Sequence, residues 1–182
     1  MADDIPFFKY HPDPLKTGAF ETGEPVTCFC CGKKTRIFYT EPFFADEYGE
    51  EDEDHLCPEC IKSGKASEKL EGEFQDERTC DPVSDAEKLE ELCQRTPGYC
   101  GWQQEYWLAH CDDYCAYLGH VGWAEIAELG LEEEIEKDCL ETGKIGIDIA
   151  EIKKHLHVAG GMRGYLFQCL HCKQHRLWVD FS

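Results

Sequence analysis

Positive charge is scarce in this chain of 182 residues. It has 18 lysines and arginines against 38 aspartates and glutamates, which gives a formal net charge of −20. Proteins that bind nucleic acid use basic side chains to displace the counterions of the phosphate backbone. The composition therefore disfavours general nucleic-acid binding and favours a basic partner.

Long apolar runs and targeting signals are also missing. No stretch approaches the roughly 20 apolar residues that cross a membrane. The start from Met1 to Pro6 lacks the basic and apolar regions of a secretory signal, so we expect a cytoplasmic protein. Aromatic residues make up 12% of the chain, and we therefore expect a folded core rather than disorder.

Cysteine, by contrast, is abundant. The thirteen cysteines do not indicate a disulfide framework in a reducing compartment, and their spacing points to metal binding. Cys28 and Cys31 form one Cys-x-x-Cys unit, and Cys57 and Cys60 form another. A tight turn in each unit places two thiolates on one side of the chain, and two units supply the tetrahedral ligands of Zn²⁺. We predict a zinc site at these four residues.

The segment between these units is long and acidic. It has 25 residues, whereas about 15–20 are usual in a four-cysteine ribbon. Residues 46–54, the acidic segment, hold seven acids in nine positions and predict a solvated loop between two strands. The candidate partner-binding residues are Asp46, Glu47, Glu50, Glu51, Asp52, Glu53 and Asp54. A redox pair at Cys57 and Cys60 is disfavoured, because these acids oppose thiolate formation.

A third Cys-x-x-Cys unit, Cys169 and Cys172, lies near the C-terminus. Its best partner is the pair Cys111 and Cys115, whose three-residue gap is within the range of metal sites. We predict a second zinc ion at these four cysteines. The alternatives for one ligand position are His110, His171 and His175. The other cysteines are expected to pack as small buried hydrophobes: Cys30, Cys80, Cys93, Cys100 and Cys139.

The remaining patterns predict an α+β fold, with small zinc-ribbon-like β units and acidic helices packed around them. The predicted elements are a strand at 36–40, a helix with a capping box at Ser84, an acidic helical segment at 124–141 interrupted by Gly130, a helix beginning at Asp148, and a hairpin of residues 165–169 and 176–181. We divide the chain into residues 1–82, a zinc-ribbon-like unit with the acidic segment, and residues 83–182, the helices with a second zinc-centred unit. One continuous domain is the alternative.

A series of motifs runs through the chain in a fixed order: Phe8-Lys9-Tyr10-His11-Pro12, Thr17-Gly18, the first four cysteines with Ile61, Arg95-Thr96-Pro97-Gly98-Tyr99, Trp102-Gln103, Trp107-Leu108-Ala109-His110-Cys111 and the Cys169–Cys172 unit. In this order the motifs resemble the CbrC family of small bacterial proteins over nearly the whole chain. That family is associated with colicin tolerance, and similar proteins occur as immunity proteins beside bacterial toxins. The resemblance implies a non-enzymatic protective role.

These observations predict a zinc-stabilised acidic protein that binds and neutralises a basic bacterial toxin, for example a nuclease domain whose cleft is basic. A zinc-dependent enzyme is one alternative, and Glu105 near His110 and Cys111 is its candidate base. The other alternative is a regulatory zinc module that contacts nucleic acid or RNA polymerase. Its basic residues are Lys153, Lys154, Arg163, Lys173 and Arg176.

Overall fold

The computed structural model describes residues 5–45, 54–103, 105–143 and 146–181. Within these ranges the chain forms seven strands and six α-helices, which confirms the predicted α+β class. None of the helices in the described ranges is both long and apolar enough to cross a membrane. The chain divides into two units: the first comprises Met1–Thr79 and Val83–Cys100, and the second comprises Cys80–Pro82 and Gly101–Ser182.

The first unit is built on an antiparallel hairpin. Strand β1 (Phe20–Thr27) pairs with β2 (Lys34–Tyr39), with Phe20 opposite Tyr39 at the open end and Thr27 opposite Lys34 beside the turn. Alternate residues of β2 are buried, as expected for a strand with one face in the core, and the predicted strand is confirmed. The rings of this core are those of Phe8, Phe20, Tyr39, Phe43 and Phe74.

Three helices complete the first unit: α1 (Pro58–Lys62), α2 (Lys65–Leu70) and α3 (Ala86–Arg95). The predicted helix at residue 84 is confirmed with its N-cap one residue later. The Asp85 carboxylate, rather than the Ser84 hydroxyl, accepts a hydrogen bond from the Glu87 N–H at 3.0 Å. An aspartate at this position satisfies one of the unpaired donors of the first turn.

The division differs from the predicted boundary after residue 82. Helix α3 belongs to the first unit, where the Phe74 N–H donates to the Cys93 carbonyl at 2.7 Å and the Ser67 hydroxyl donates to the Gln94 carbonyl at 3.0 Å. Residues 80–82 belong to the second unit, where the Asp81 N–H donates to the Trp107 carbonyl at 2.9 Å. Composition does not reveal these hydrogen bonds, which place α3 in the first unit and residues 80–82 in the second.

The second unit contains a three-stranded antiparallel sheet in the order β5 (Ala116–Val121), β6 (Met162–Gln168) and β7 (His175–Phe181). The predicted terminal hairpin is confirmed as β6 and β7, and β5 adds a strand that the sequence analysis did not predict. A short hairpin precedes the sheet. Its strands, β3 (Ala109–His110) and β4 (Asp113–Tyr114), have two residues each.

The two faces of this sheet bury different side chains. Helices α4 (Trp123–Glu128), α5 (Glu132–Thr142) and α6 (Ile149–His155) pack on an aliphatic core of Val121, Ile126, Ile135, Ile152, Leu156, Leu166, Leu177 and Val179. Aromatic rings lie on the opposite face, where the Tyr117 and Phe167 centroids are 5.4 Å apart. Gly130 separates α4 from α5 as predicted, with a φ of +69° that favours glycine.

A buried ionic group joins β7, α5 and residues 80–82 of the second unit. Arg176 Nε donates to Asp138 Oδ1 at 3.0 Å, and Arg176 Nη1 lies 3.6 Å from Asp81 Oδ2. All three side chains are at most 6% exposed. Two carboxylates in this environment need the guanidinium, because an unpaired buried charge is costly.

Replacing Arg176 with methionine should therefore destabilise the second unit by about 3–5 kcal/mol, since two buried carboxylates lose their counterion. The matched control is Arg78→Met. Arg78 also binds an aspartate, Asp76, at 2.7 Å, but its side chain is 84% exposed, so its loss should cost less than about 1 kcal/mol. Urea unfolding followed by circular dichroism measures both changes. Equal destabilisation by the two variants would contradict this account.

His11 is a second buried titratable residue, in the first unit. Its Nδ1 lies 2.8 Å from the Pro97 carbonyl and its Nε2 lies 2.6 Å from Thr17 Oγ1. A carbonyl only accepts, so Nδ1 carries the proton and Nε2 accepts from the Thr17 hydroxyl. Burial lowers the pKa of His11 from 6.5 to about 4, against the opposing effect of the Pro97 hydrogen bond.

Neutral His11 should make the first unit sensitive to acid. Between pH 6.5 and 4 the unfolded chain binds a proton at this residue and the folded chain does not, so stability falls as the pH falls through this window. The loss is roughly 3 kcal/mol for a shift of this size. We expect the stability difference between the wild type and His11→Gln to shrink across this window and to stay constant above pH 7. A difference that does not depend on pH would exclude His11 as the cause.

Candidate metal centres

Two groups of potential metal ligands occur in the described residues. The first comprises Cys28, Cys31, Cys57 and Cys60, and the second comprises His110, Cys111, Cys169 and Cys172. In each group, one ligand atom from each residue lies within 4.8 Å of the other three. Such crowding is the arrangement that tetrahedral coordination of one ion requires.

The first centre joins the β1–β2 turn to the start of α1. In the turn, the Cys28 N–H donates to the Lys33 carbonyl at 2.8 Å, and the Gly32 N–H donates back to the Cys28 carbonyl at 2.8 Å. Gly32 has a φ of +71°, a conformation that glycine adopts without strain. This turn brings Cys28 and Cys31 to one side, as the spacing predicts.

The other half of the first centre is a helix start. Cys57 is the N-cap of α1, Pro58 occupies the first turn, and the Cys60 N–H donates to the Cys57 carbonyl at 3.1 Å. The Cys57 N–H also points to Cys28 Sγ at 3.3 Å. Because backbone N–H groups stabilise a thiolate, the helix start favours negative charge on Cys28 Sγ across the centre.

The four thiols of the first centre do not ionise independently. The hydrogen bond from the Cys57 thiol, helped by the N–H groups of Cys31 and Cys57, lowers the pKa of Cys28 to about 4 despite its burial. The same hydrogen bond and burial raise the pKa of Cys57 above its usual range. The neighbouring sulfurs therefore compete for negative charge, and a bound cation would allow all of them to ionise.

The second centre repeats the turn of the first. Between β6 and β7, the Cys169 N–H donates to the Gln174 carbonyl at 2.8 Å, and the Lys173 N–H donates to the Cys169 carbonyl at 3.2 Å. These are the hydrogen bonds that Cys28 makes with the residues five and four positions ahead of it. Lys173 has a φ of +66°, where the first turn has glycine. The Cys169–Cys172 unit therefore has the turn geometry of Cys28–Cys31 and could hold a metal ion in the same way.

The partner of this turn differs from the prediction. His110 and Cys111 complete the second group, and Cys115 lies outside it. Cys111 and Asp112 form the two-residue turn of the β3–β4 hairpin, with φ values of +54° and +55°, so the chain reverses before it reaches Cys115. Cys111 Sγ and Cys172 Sγ each lie 3.3 Å from His110 Nδ1.

Cys115 belongs to the core instead. It is fully buried, its N–H donates to the Leu108 carbonyl at 2.9 Å, and its carbonyl accepts from Trp107 Nε1 at 2.9 Å. Burial raises the pKa of the Cys115 thiol, as expected for a structural cysteine. The signal for His110 was present in the sequence, because histidine directly precedes Cys111 and was one of the three alternatives.

The two other candidate histidines are not members of the second group, and each contacts a carboxylate instead. His171 Nε2 lies 2.9 Å from Asp113 Oδ2, and His175 Nδ1 lies 3.1 Å from Glu134 Oε2. The buried ionic group also reaches the centre. Asp81 accepts from the Ala109 N–H at 3.0 Å and Arg176 donates to the Ala109 carbonyl, so the residue before His110 is fixed on both sides.

The cysteines outside the two centres vary in burial. Cys30 and Cys93 are buried, as predicted, and Cys80 and Cys139 are partly buried. Cys100 is exposed, so the expectation of a buried position is wrong for this residue. Of the candidate partner-binding residues, those at 46–53 lie outside the described residues, and Asp54 is half-buried.

The ligand assignment predicts metal content. Cys172→Ser should remove one metal ion per chain, because it breaks the second centre, whereas Cys115→Ser should retain both ions. For the first centre the matched pair is Cys57→Ser, which should lose one ion, and Cys80→Ser, which should not. Elemental analysis of the purified variants measures this. Loss of metal from Cys115→Ser with retention in Cys172→Ser would reverse the assignment of the second centre.

Comparison with known proteins places the whole described chain in one family. Residues 5–181 match the model described as Uncharacterised protein family (UPF0167). A UPF0167 protein of Pseudomonas aeruginosa is 36% identical over 187 residues, and the match covers 100% of both chains. UPF0167 proteins of Mycobacterium bovis and Mycobacterium tuberculosis are each 38% identical over 184 residues, which cover 98% of this chain and 94% of theirs. No solved structure matches the chain. The chain therefore belongs to the UPF0167 family.

Proposed function

We propose that this protein is a non-enzymatic, zinc-stabilised binding protein of the cytoplasm, whose acidic surface binds and neutralises a basic bacterial toxin. The observation that carries the proposal is that each metal centre gathers four protein ligands from two separate chain segments. A tetrahedral ion with four protein ligands has no position open for a substrate. Thiolate donors favour zinc over magnesium, calcium and manganese.

The cysteine chemistry supports this location and this metal. All thirteen cysteines are free thiols, as expected for a protein kept in a reducing compartment. Zinc has no redox chemistry of its own, so it holds thiolates without oxidising them. Its binding free energy would then contribute directly to the folding of both units.

The acidic run at residues 125–141 supports a binding surface only in part. Glu134 and Asp138 hold His175 and Arg176 inside the second unit, so they are structural. Glu128, Glu132 and Glu133 are exposed and are free to attract a basic partner. Long-range attraction of this kind raises the association rate more than it stabilises the complex.

The surface beside the acidic segment is also acidic. A cavity of about 430 Å³ is lined by Phe44, Glu73, Asp76, Glu77 and Arg78. Burial, followed by repulsion from Glu77 and Asp76, raises the pKa of Glu73. A lysine or arginine from a partner would relieve this repulsion, and the half-exposed ring of Phe44 would pack on its aliphatic stem.

A zinc-dependent enzyme is the second candidate, and the second centre is its only support among the described residues. His110 replaces a cysteine there, and a cavity of about 300 Å³ lies beside it, lined by Asp81, Pro82, Ala109, His110, Asp112 and Arg176. Four protein ligands nevertheless close the ion, and Arg176 in this cavity is already bound to two carboxylates. The binding role is therefore preferred.

The regulatory alternative has less support from the basic residues near the C-terminus. Lys153 pairs with Glu136, Arg163 stacks on Trp102 at 4.0 Å, and Lys173 donates to the Leu170 carbonyl at 2.8 Å. Basic side chains that already have partners within the chain contribute less to phosphate binding. The resemblance to the CbrC family, with its association with colicin tolerance, is a further reason to prefer a toxin as the partner.

The proposal predicts salt-sensitive association with a basic toxin domain. Changing Glu50, Glu51, Asp52 and Glu53 together to their amides should slow association with a colicin-type nuclease domain severalfold at low salt. The effect should shrink at physiological ionic strength, where charges are screened over about 8 Å. Stopped-flow kinetics measures the rate, and protection of nucleic acid from the nuclease measures neutralisation.

A matched control removes four exposed charges elsewhere in the first unit, at Glu21, Glu24, Glu68 and Glu87. It should slow association less, because the same change in net charge then leaves the acidic segment intact. A rate that is indifferent to salt and to both sets of substitutions would assign the acidic segment to solubility and remove the toxin from the proposal.

A further inference from the structure

The two metal centres differ in their exposure to solvent. In the first centre Cys28, Cys57 and Cys60 are at most 9% exposed, and Cys31 is half-buried. In the second centre Cys111 and Cys172 are both exposed, and only Cys169 is buried. A small solute that reacts with sulfur therefore has direct access to two ligands of the second centre.

These two exposed sulfurs also lie close together. Cys111 Sγ and Cys172 Sγ are each 3.3 Å from His110 Nδ1 and lie within 4.8 Å of one another. They come from different segments, the turn of the β3–β4 hairpin and the end of the Cys169–Cys172 turn. A bond between them would keep these segments joined in the absence of the ion.

We propose that the second centre is a peroxide-reactive zinc-thiolate site, in which oxidation joins Cys111 to Cys172 and releases the ion. The inference rests on the zinc occupancy in the proposed function. The substrate class is a small hydroperoxide such as hydrogen peroxide, which reacts with thiolate rather than thiol.

The reaction balances in two steps. The Cys111 thiolate attacks one peroxide oxygen, the O–O bond breaks, and hydroxide leaves, so that Cys111 becomes a sulfenic acid. The Cys172 thiolate then attacks this sulfur, the S–S bond forms, the S–O bond breaks, and a second hydroxide leaves. Two thiolates have lost two electrons in total and one peroxide has gained them. His110 and Cys169 remain as two ligands, too few to retain zinc against water.

The first centre supplies an internal comparison on the same chain. It gathers four cysteines, one pair of them on a turn with the same hydrogen bonds, but three of these cysteines are buried, so peroxide reaches them slowly. We therefore expect one zinc ion per chain to be released at least roughly tenfold faster than the other, because thiolate oxidation follows exposure.

The experiment uses the full chain with its zinc content measured beforehand. Hydrogen peroxide is added in the presence of a colorimetric zinc chelator, and the free thiols are then alkylated and mapped by peptide mass spectrometry. The expected result is fast release of one equivalent, with a peptide pair joined by Cys111 and Cys172 and with Cys28, Cys31, Cys57 and Cys60 alkylated. A thiol reductant with added zinc should restore two ions per chain.

Two variants, each of which removes one metal ligand, show which centre releases its zinc fast and which releases it slowly. Cys172→Ser should start with one ion and show only slow release, and its matched control Cys31→Ser should start with one ion and show only fast release. If either variant fails to fold, brief alkylation of the wild type with iodoacetamide replaces it, and Cys111 and Cys172 should be modified before any cysteine of the first centre.

Each other outcome contradicts the inference in a recognisable way. Release of both ions at one rate, fast oxidation within the first centre, or release without a Cys111–Cys172 bond overturns the peroxide site and leaves the proposed function intact. A chain that holds fewer than two zinc ions before peroxide is added contradicts the zinc occupancy of the proposed function, and the peroxide site is rejected with it.

Discussion

The crowding of sulfur ligands is the constraint on which both units depend. Each centre holds its four ligand atoms within 4.8 Å of one another, a spacing at which several thiolates repel unless a cation lies between them. Each centre also joins segments that are far apart in the sequence, residues 28–31 with 57–60 and residues 110–111 with 169–172. The hairpin of the first unit has only two strands, and such a hairpin is marginal alone, so a metal ion bound at the first centre would add to the stability of that unit.

The sequence correctly predicted the features that depend on residues close together in the chain. The three Cys-x-x-Cys units, the strand at β2, the helix start at residue 148 and the break at Gly130 are all found, and the helix predicted from Ser84 starts one residue later, because each is fixed by a few neighbouring residues. The ligand His110 depends instead on a two-residue turn in which Cys111 and Asp112 both adopt positive φ. Cysteine seldom does so, so the turn was not evident, and the three-residue gap between Cys111 and Cys115 favoured Cys115 instead. The strand β5 and the unit boundary depend on pairing between distant segments, which no local pattern contains.

The contacts separate the acidic residues into buried ones, which have partners within the chain, and exposed ones. A net charge of −20 suggests a uniformly solvated surface, yet Asp81, Asp113 and Asp138 are buried. Asp81 and Asp138 share the one guanidinium of Arg176, which offsets part of their charge and reduces what they add to the field seen by a partner. The exposed acids of the described residues occur in both units, for example Glu68 and Glu87 in the first and Glu128, Glu132 and Glu133 in the second. Charge counted along the sequence therefore overstates the field, because part of it belongs to buried, paired carboxylates.

The acidic segment is connected to the first metal centre through its flanking residues. On one side, Phe44 pairs with Glu73 through two backbone hydrogen bonds of 2.8 and 3.0 Å. On the other side, His55 accepts from the Phe29 N–H at 2.8 Å, and Cys57 is itself a ligand. Both ends of the segment are thus fixed, and the second is fixed by the centre. In the proposed binding role, fixed flanking residues would lower the entropy that is lost when a partner binds. A metal ion held at the first centre would in this way contribute to the proposed recognition without any catalytic position, because it fixes one flank of the acidic segment.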